Sequence, residues 1–183
     1  MEVTILPVGK IDGKVLSALK EGLSKVLQGY SIVTSSGFLE IPKEAYNPLR
    51  RQYLSTHILR EILSYAEKSQ NIFGSHVKVL GVTEADLYVA GLNFVFGEAQ
   101  CPGKAAVISL CRLKPEFYGE PPNERLFYGR AVKEAVHELG HTFGLGHCPT
   151  PSCVMHFSLH IGMTDLKGPA FCSSCLQTIK AIT

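Results

Sequence analysis

The residues best able to do chemistry lie between positions 137 and 147: His137-Glu138-Leu139-Gly140-His141-Thr142-Phe143-Gly144-Leu145-Gly146-His147. Two histidines four apart on a helix sit one turn above each other and face the same way. Imidazoles so placed can share one Zn²⁺ at roughly 2.0–2.1 Å per nitrogen. Glu138, next to the first histidine, stands where a general base for a metal-activated water is needed. Gly144 lets the chain leave the helix through a left-handed turn, so that His147 can swing back as a third ligand. Three protein ligands leave a fourth position for water, which marks a catalytic rather than a closed structural zinc. H-E-x-x-H alone is short enough to arise by chance. The extended H-E-x-x-H-x-x-G-x-x-H is far harder to reach by coincidence.

A helix must carry the first two histidines, and the preceding residues supply it. Phe127, Ala131, Ala135, Leu139 and Phe143 form one i, i+4 apolar stripe, with Tyr128, Val132 and Val136 beside it. Arg130, Glu134, His137 and His141 fall on another face, so both ligand candidates share the non-core side of one buried helix. Asn123, after the Pro- and Gly-rich loop 114–123, is a suitable N-cap.

A second cluster follows at once. Cys148-x4-Cys153 and Cys172-x-x-Cys175 are two close pairs separated by a loop. Four thiolates in a tetrahedron form the usual closed zinc site. Disulfides and redox or cluster chemistry are the alternatives. A loop poor in apolar residues cannot hold itself by burial, so metal there would contribute folding free energy directly. Cys148 adjoins His147, which gives the two sites a shared backbone joint. Of the remaining cysteines, Cys111 reads as a buried small hydrophobe; for Cys101, after the candidate edge strand, a free thiol near a cleft rim is the minority alternative.

The composite H-E-x-x-H-x-x-G-x-x-H-C-x4-C-x-M, followed by C-x-x-C, resembles the archaemetzincins, a family of metzincin zinc metallopeptidases. The resemblance is sharp over 137–175, and upstream touches only Asn93–Ala99. It implies a Met-turn around Cys153-Val154-Met155-His156-Phe157, with Met155 packed under the metal rather than bound to it. It also implies an α/β fold: a mostly parallel twisted sheet of about five strands, an antiparallel edge strand above the zinc cleft, and an irregular zinc-stabilised C-terminal part. That edge would pair with an extended substrate backbone; an ordinary buried hairpin strand is the alternative. Some metzincins carry a Tyr two residues after the Met as an oxyanion donor. Here that position is Phe157, so the donor is missing. No pro-segment or cysteine switch is evident. His156 and His160 flank the expected pocket wall as polar residues at most.

The order of elements agrees with this architecture. Val3–Val8 reads as a strand, 12–28 as a helix, Tyr30–Thr34 as a strand, and 37–50 as an irregular connection. Tyr53–Ala66 reads as a helix in which His57 is a satisfied structural residue. Val77–Val82, Gly91–Ala99 and Ala105–Leu110 read as strands, and Leu176–Ile182 as a short helical tail. His76 reads as a surface or strand-capping residue. Alternating strands and helices predict a parallel sheet with crossover helices.

The chain's 183 residues suit one metallopeptidase domain, with sheet and active-site helix in 1–144 and Met-turn and cysteine site in 145–183. A net charge of +2 argues against nucleic-acid or membrane-surface binding. The N-terminus reads as a strand rather than an export signal, which predicts the reducing cytosol, where the six cysteines bind metal or stay free. The expectation is a monomeric, zinc-dependent peptidase with two Zn²⁺ per chain and Glu138 as base, acting on a peptide or protein. The alternatives are a zinc-stabilised peptide- or protein-binding protein with little turnover, and a hydrolase of a non-peptide amide. Segments 40–50 and 114–122 are the ones able to block the cleft.

Overall fold

The computed structural model describes residues 1–73 and 77–182, with side chains at 1–69 and 77–181. The strands are β1 (Glu2–Val8), β2 (Ser31–Thr34), β3 (Tyr46–Asn47), β4 (Gln52–Leu54), β5 (Val77–Thr83), β6 (Leu87–Tyr88), β7 (Gly97–Ala99) and β8 (Ala105–Ser109). The helices are α1 (Gly13–Val26), α2 (Ser55–Phe73), α3 (Glu124–Thr142), α4 (Ile161–Leu166) and α5 (Ser173–Ile182). His76 lies outside the described residues.

The main sheet has the order β2-β1-β5-β8-β7. Its first four strands run parallel, and β7 is antiparallel to β8 with Glu98 opposite Val107. Successive side chains in a strand point to opposite faces, and the two cores follow that alternation. Val3, Ile5, Leu80, Val82, Ala106 and Ile108 face the core built with α1 and α3. Leu6, Val8, Val77, Val79, Ala105 and Val107 face the core built with Ile58, Ile62 and Ala66 of α2. The inner parallel strands β1, β5 and β8 are buried on both faces, which is why they read as apolar runs rather than alternating ones, whereas β2 at the sheet edge exposes Ser31 and Thr34. The mostly parallel sheet with an antiparallel edge agrees with the sequence reading.

Several local expectations need correction. The strand expected over Gly91–Ala99 is continuous only at Gly97–Ala99, with Val95 in an isolated antiparallel bridge to Leu87. Gly91 has φ +85° and turns the chain. The carbonyls of Leu92 and Asn93 then bond the Arg50 guanidinium, and Gln52 Nε2 also reaches Asn93 O, instead of a neighbouring strand. Residues 46–54 were expected to divide between a connection and a helix. They instead supply β3 and β4, which join β6 in a separate three-stranded sheet. His57 was expected to be satisfied, yet its Nδ1 is buried with no hydrogen-bond partner among the described residues. Cys111 is half-buried rather than buried. Among the described residues, no helix is long and apolar enough to cross a membrane.

Candidate active site

Helix α3 begins where Asn123 Oδ1 accepts the amide of Leu126 at 3.0 Å, the expected N-cap. Its apolar stripe, Phe127, Ala131, Ala135 and Leu139, is buried. Its last turn is held from β5: Lys78 Nζ donates to Thr142 O at 2.8 Å and to Gly103 O at 2.5 Å. A cation on terminal helix carbonyls is favourable with respect to the helix dipole. Phe143 then caps the helix, and Gly144 takes φ +91°, the left-handed turn that reverses the chain.

That turn brings His147 back against His137 and His141. One ring nitrogen from each lies within 4.8 Å of the others. His137 Nδ1 is 2.8 Å from Val154 O, and His141 Nδ1 is 2.7 Å from Leu145 O. A carbonyl can only accept, so each Nδ1 carries the proton and each Nε2 presents a lone pair. The two Nε2 atoms are 3.2 Å apart. Neither can donate to the other, so the pair is an acceptor set, not a hydrogen bond. Two nitrogens at tetrahedral zinc distance would be about 3.3–3.4 Å apart. The donor set therefore fits a divalent metal, with Nε2 as the ligand atom of His137 and His141. Burial, then the nearby Lys167 charge, holds His137 well below the usual imidazole range, and burial does the same more weakly for His141 and His147. Neutral rings are what a metal requires.

Glu138 is buried, and burial first, then the Glu134 carboxylate, raises its carboxyl well above the usual range. Gly97 of the edge strand passes directly over it. A Cβ at Gly97 would stand 2.5 Å from Glu138 Cγ and 2.6 Å from Val107 O. Met155 is fully buried, and its Sδ occupies the space a Cβ on Gly140 would need. It packs beneath the histidine helix.

A cleft of about 280 Å³ opens over these groups. Leu92–Gly97 forms one wall, Phe157–Leu159 the other, and Glu134, His137, Glu138 and His147 lie between them. The Phe157 ring is 4.7 Å from that of His147, centroid to centroid. Segments 40–50 and 114–122 do not line the cleft. Neither do His156 and His160: His156 Nδ1 instead lies 3.0 Å from Cys148 O. Cys101 is exposed, and its Sγ reaches Leu145 O at 3.4 Å, the carbonyl that orients His141.

The four C-terminal cysteines converge as the spacing predicted, with their sulfurs within 4.8 Å of one another. Cys148 and Cys172 are 3.8 Å apart, as are Cys153 and Cys175. A disulfide needs about 2.05 Å, so these are thiols. The edge of a tetrahedron with 2.3 Å zinc–sulfur arms is about 3.8 Å. The Cys175 amide, at the start of α5, pulls the Cys172 thiol down to about 7, while burial pushes Cys153 and Cys175 up. Cys172 therefore loses its proton more readily than Cys153 or Cys175.

Sequence reasoning missed one feature beside the cleft. Lys167 is 1% exposed, and its Nζ lies 3.0 Å from Glu134 Oε1, which also accepts from Thr164 Oγ1 at 3.0 Å. A lysine 33 positions from its partner leaves no signal in local spacing. Removing one member of a buried pair strands the other charge, at about 3–5 kcal/mol. A Lys167→Met protein should lose that much stability in a denaturant titration. The double variant Glu134→Leu/Lys167→Met should recover most of it, because two apolar side chains leave no charge behind.

A family model described as Peptidase family M54 matches residues 14–181. The chain is 45% identical to an archaemetzincin of Pyrococcus abyssi over 181 residues, covering 97% of this chain and 94% of that one. Among solved structures it is similar to a zinc-dependent peptidase from Methanocorpusculum labreanum, with TM-score 0.87 and 30% identity, covering 97% of this chain and 99% of that one. It is also similar to an archaemetzincin from Archaeoglobus fulgidus complexed with malonate, with TM-score 0.81 and 35% identity over the same shares. With its histidine cluster, cysteine cluster and sheet in this arrangement, the chain belongs to peptidase family M54, the archaemetzincins, and is a zinc metallopeptidase.

Proposed function

We propose that the chain hydrolyses peptide bonds with water as nucleophile and Glu138 as the group that moves the proton. In this reading His137, His141 and His147 hold a catalytic zinc, and Cys148, Cys153, Cys172 and Cys175 hold a structural one. Zinc at the histidines supplies Lewis-acid polarisation of the scissile carbonyl and brings the pKa of water toward neutrality. Glu138 takes a proton from the attacking water and later delivers it to the leaving amine. Its buried carboxyl, raised in pKa, suits both halves of that exchange.

The observation that carries the reading is the convergence of three imidazoles beside a buried carboxyl, with His137, His147 and Glu138 lining a cleft. Residues 145–183 act as the half that closes the cleft, and 1–144 as the half that supplies its floor and edge strand. Among the described residues β7 is the last strand of its sheet, so its outer edge can receive an extended peptide. The substrate is accordingly a peptide or an unfolded stretch of protein. A defined peptide library should be cleaved by zinc-loaded protein, with cleavage abolished by a chelator and restored by zinc. A library left intact by fully loaded protein would sink this reading in favour of a binding protein.

A further inference from the structure

Ser158 stands apart from the other polar residues of the cleft wall. Its hydroxyl oxygen is buried and has no hydrogen-bond partner among the described residues. The residue nevertheless lines the cleft, between Phe157 and Leu159. A buried hydroxyl left unpaired carries a desolvation penalty that folding alone gives no reason to keep. Its neighbours on the wall cannot use it, because Phe157 and Leu159 are apolar and about half-exposed.

The position of the wall is itself rigidly set. Arg130 holds Asp165 through two bonds of 2.8 and 2.7 Å. Lys133 donates to the carbonyls of Thr164 and Asp165, both at 3.0 Å, and Lys167 lies on Glu134. These contacts tie α4, which follows the wall, to the histidine-bearing α3. Ser158 thus belongs to a segment held against α3 and lines the same cleft as Gly97 of β7.

We propose that Ser158 is a substrate-binding residue whose hydroxyl donates to a backbone carbonyl of an extended peptide lying between β7 and 157–159. The inference rests on the peptidase reading above. The apolar side chains of Leu92, Phe94, Phe96, Phe157 and Leu159 line the cleft and favour an apolar chain. A hydroxyl in such walls then meets the amide backbone that every peptide carries. Bonding a carbonyl away from the reacting one strengthens ground and transition states alike, so the contact acts on KM rather than kcat.

The test uses the zinc-loaded 183-residue chain and one peptide cleaved from the defined library. Ser158→Ala should raise KM about tenfold, leave kcat within about twofold, and leave the thermal midpoint unchanged or higher. Ser158→Thr, which keeps a hydroxyl, should restore much of the loss. The same peptide titrated by calorimetry into Glu138→Gln and into Glu138→Gln/Ser158→Ala should show about a tenfold difference in Kd. Wild-type cleavage with equal KM in Ser158→Ala, or with a loss confined to kcat, overturns this inference and leaves the peptidase reading standing. Failure of every library peptide to be cleaved or to bind Glu138→Gln overturns both.

Discussion

A Glu138→Gln protein should fold, retain its metals and lose turnover by roughly 10²–10⁴-fold, the usual contribution of a positioned acid–base group. The argument turns on what this substitution leaves alone. The amide is close to isosteric with the carboxyl and is neutral. It therefore fits a site where burial already favours the uncharged carboxyl. The close approach of Gly97 is preserved because the side chain does not grow. The histidine orienters are main-chain carbonyls that do not involve Glu138. Metal content and thermal midpoint should thus match wild type while kcat collapses. A variant that stays fully active would show that some other group moves the proton.

The second large effect is expected at the cysteine cluster. Cys172→Ser removes a thiol that the Cys175 amide draws down to about 7. Loss of a bound structural metal belongs to the short list of changes that cost about 4–5 kcal/mol or more. At about 2–4 °C per kcal/mol for a chain of this size, the thermal midpoint should fall by about 10 °C or more. On the proposed two-site reading, metal analysis should drop from two zincs per chain to one. The damage should also reach the histidines. Cys148 follows His147 directly, and its amide donates to Met155 O at 2.9 Å. Val154, whose carbonyl orients His137, follows Cys153. Loosening the thiolates frees both joints, so zinc affinity at the histidines should fall about 10–100-fold, as for lost outer-shell support. Wild-type melting and turnover in Cys172→Ser would contradict the coupling.

Much of this site was legible because its residues are close in sequence. The turn spacing of His137 and His141, the glycine at 144 and the two cysteine pairs each translate a number of residues into a direction in space. The parallel strands were legible for a related reason: burial on both faces leaves continuous apolar runs. What stayed hidden depends on long-range partners. Gly91–Phe96 alternates like a strand, but Arg50 and Gln52, some forty positions earlier, take the carbonyls of Leu92 and Asn93. The Glu134–Lys167 pair, the unpaired hydroxyl of Ser158 and the small sheet of β3, β4 and β6 were equally invisible. Each is defined by what surrounds a residue, not by the residue's own type or period. His156 was misplaced for the same reason, since Cys148 O captures its ring away from the cleft.

The rings of His137 and His141 are aimed by the carbonyls of Val154 and Leu145. Every amino acid carries that carbonyl, so no side-chain replacement at 154 or 145 deletes the acceptor. The aim of the two imidazoles is written into the path of the chain rather than into the identity of a partner. Such a device tolerates sequence drift at the supporting positions. It is vulnerable instead to insertions or deletions between 142 and 155, which would shift both acceptors at once.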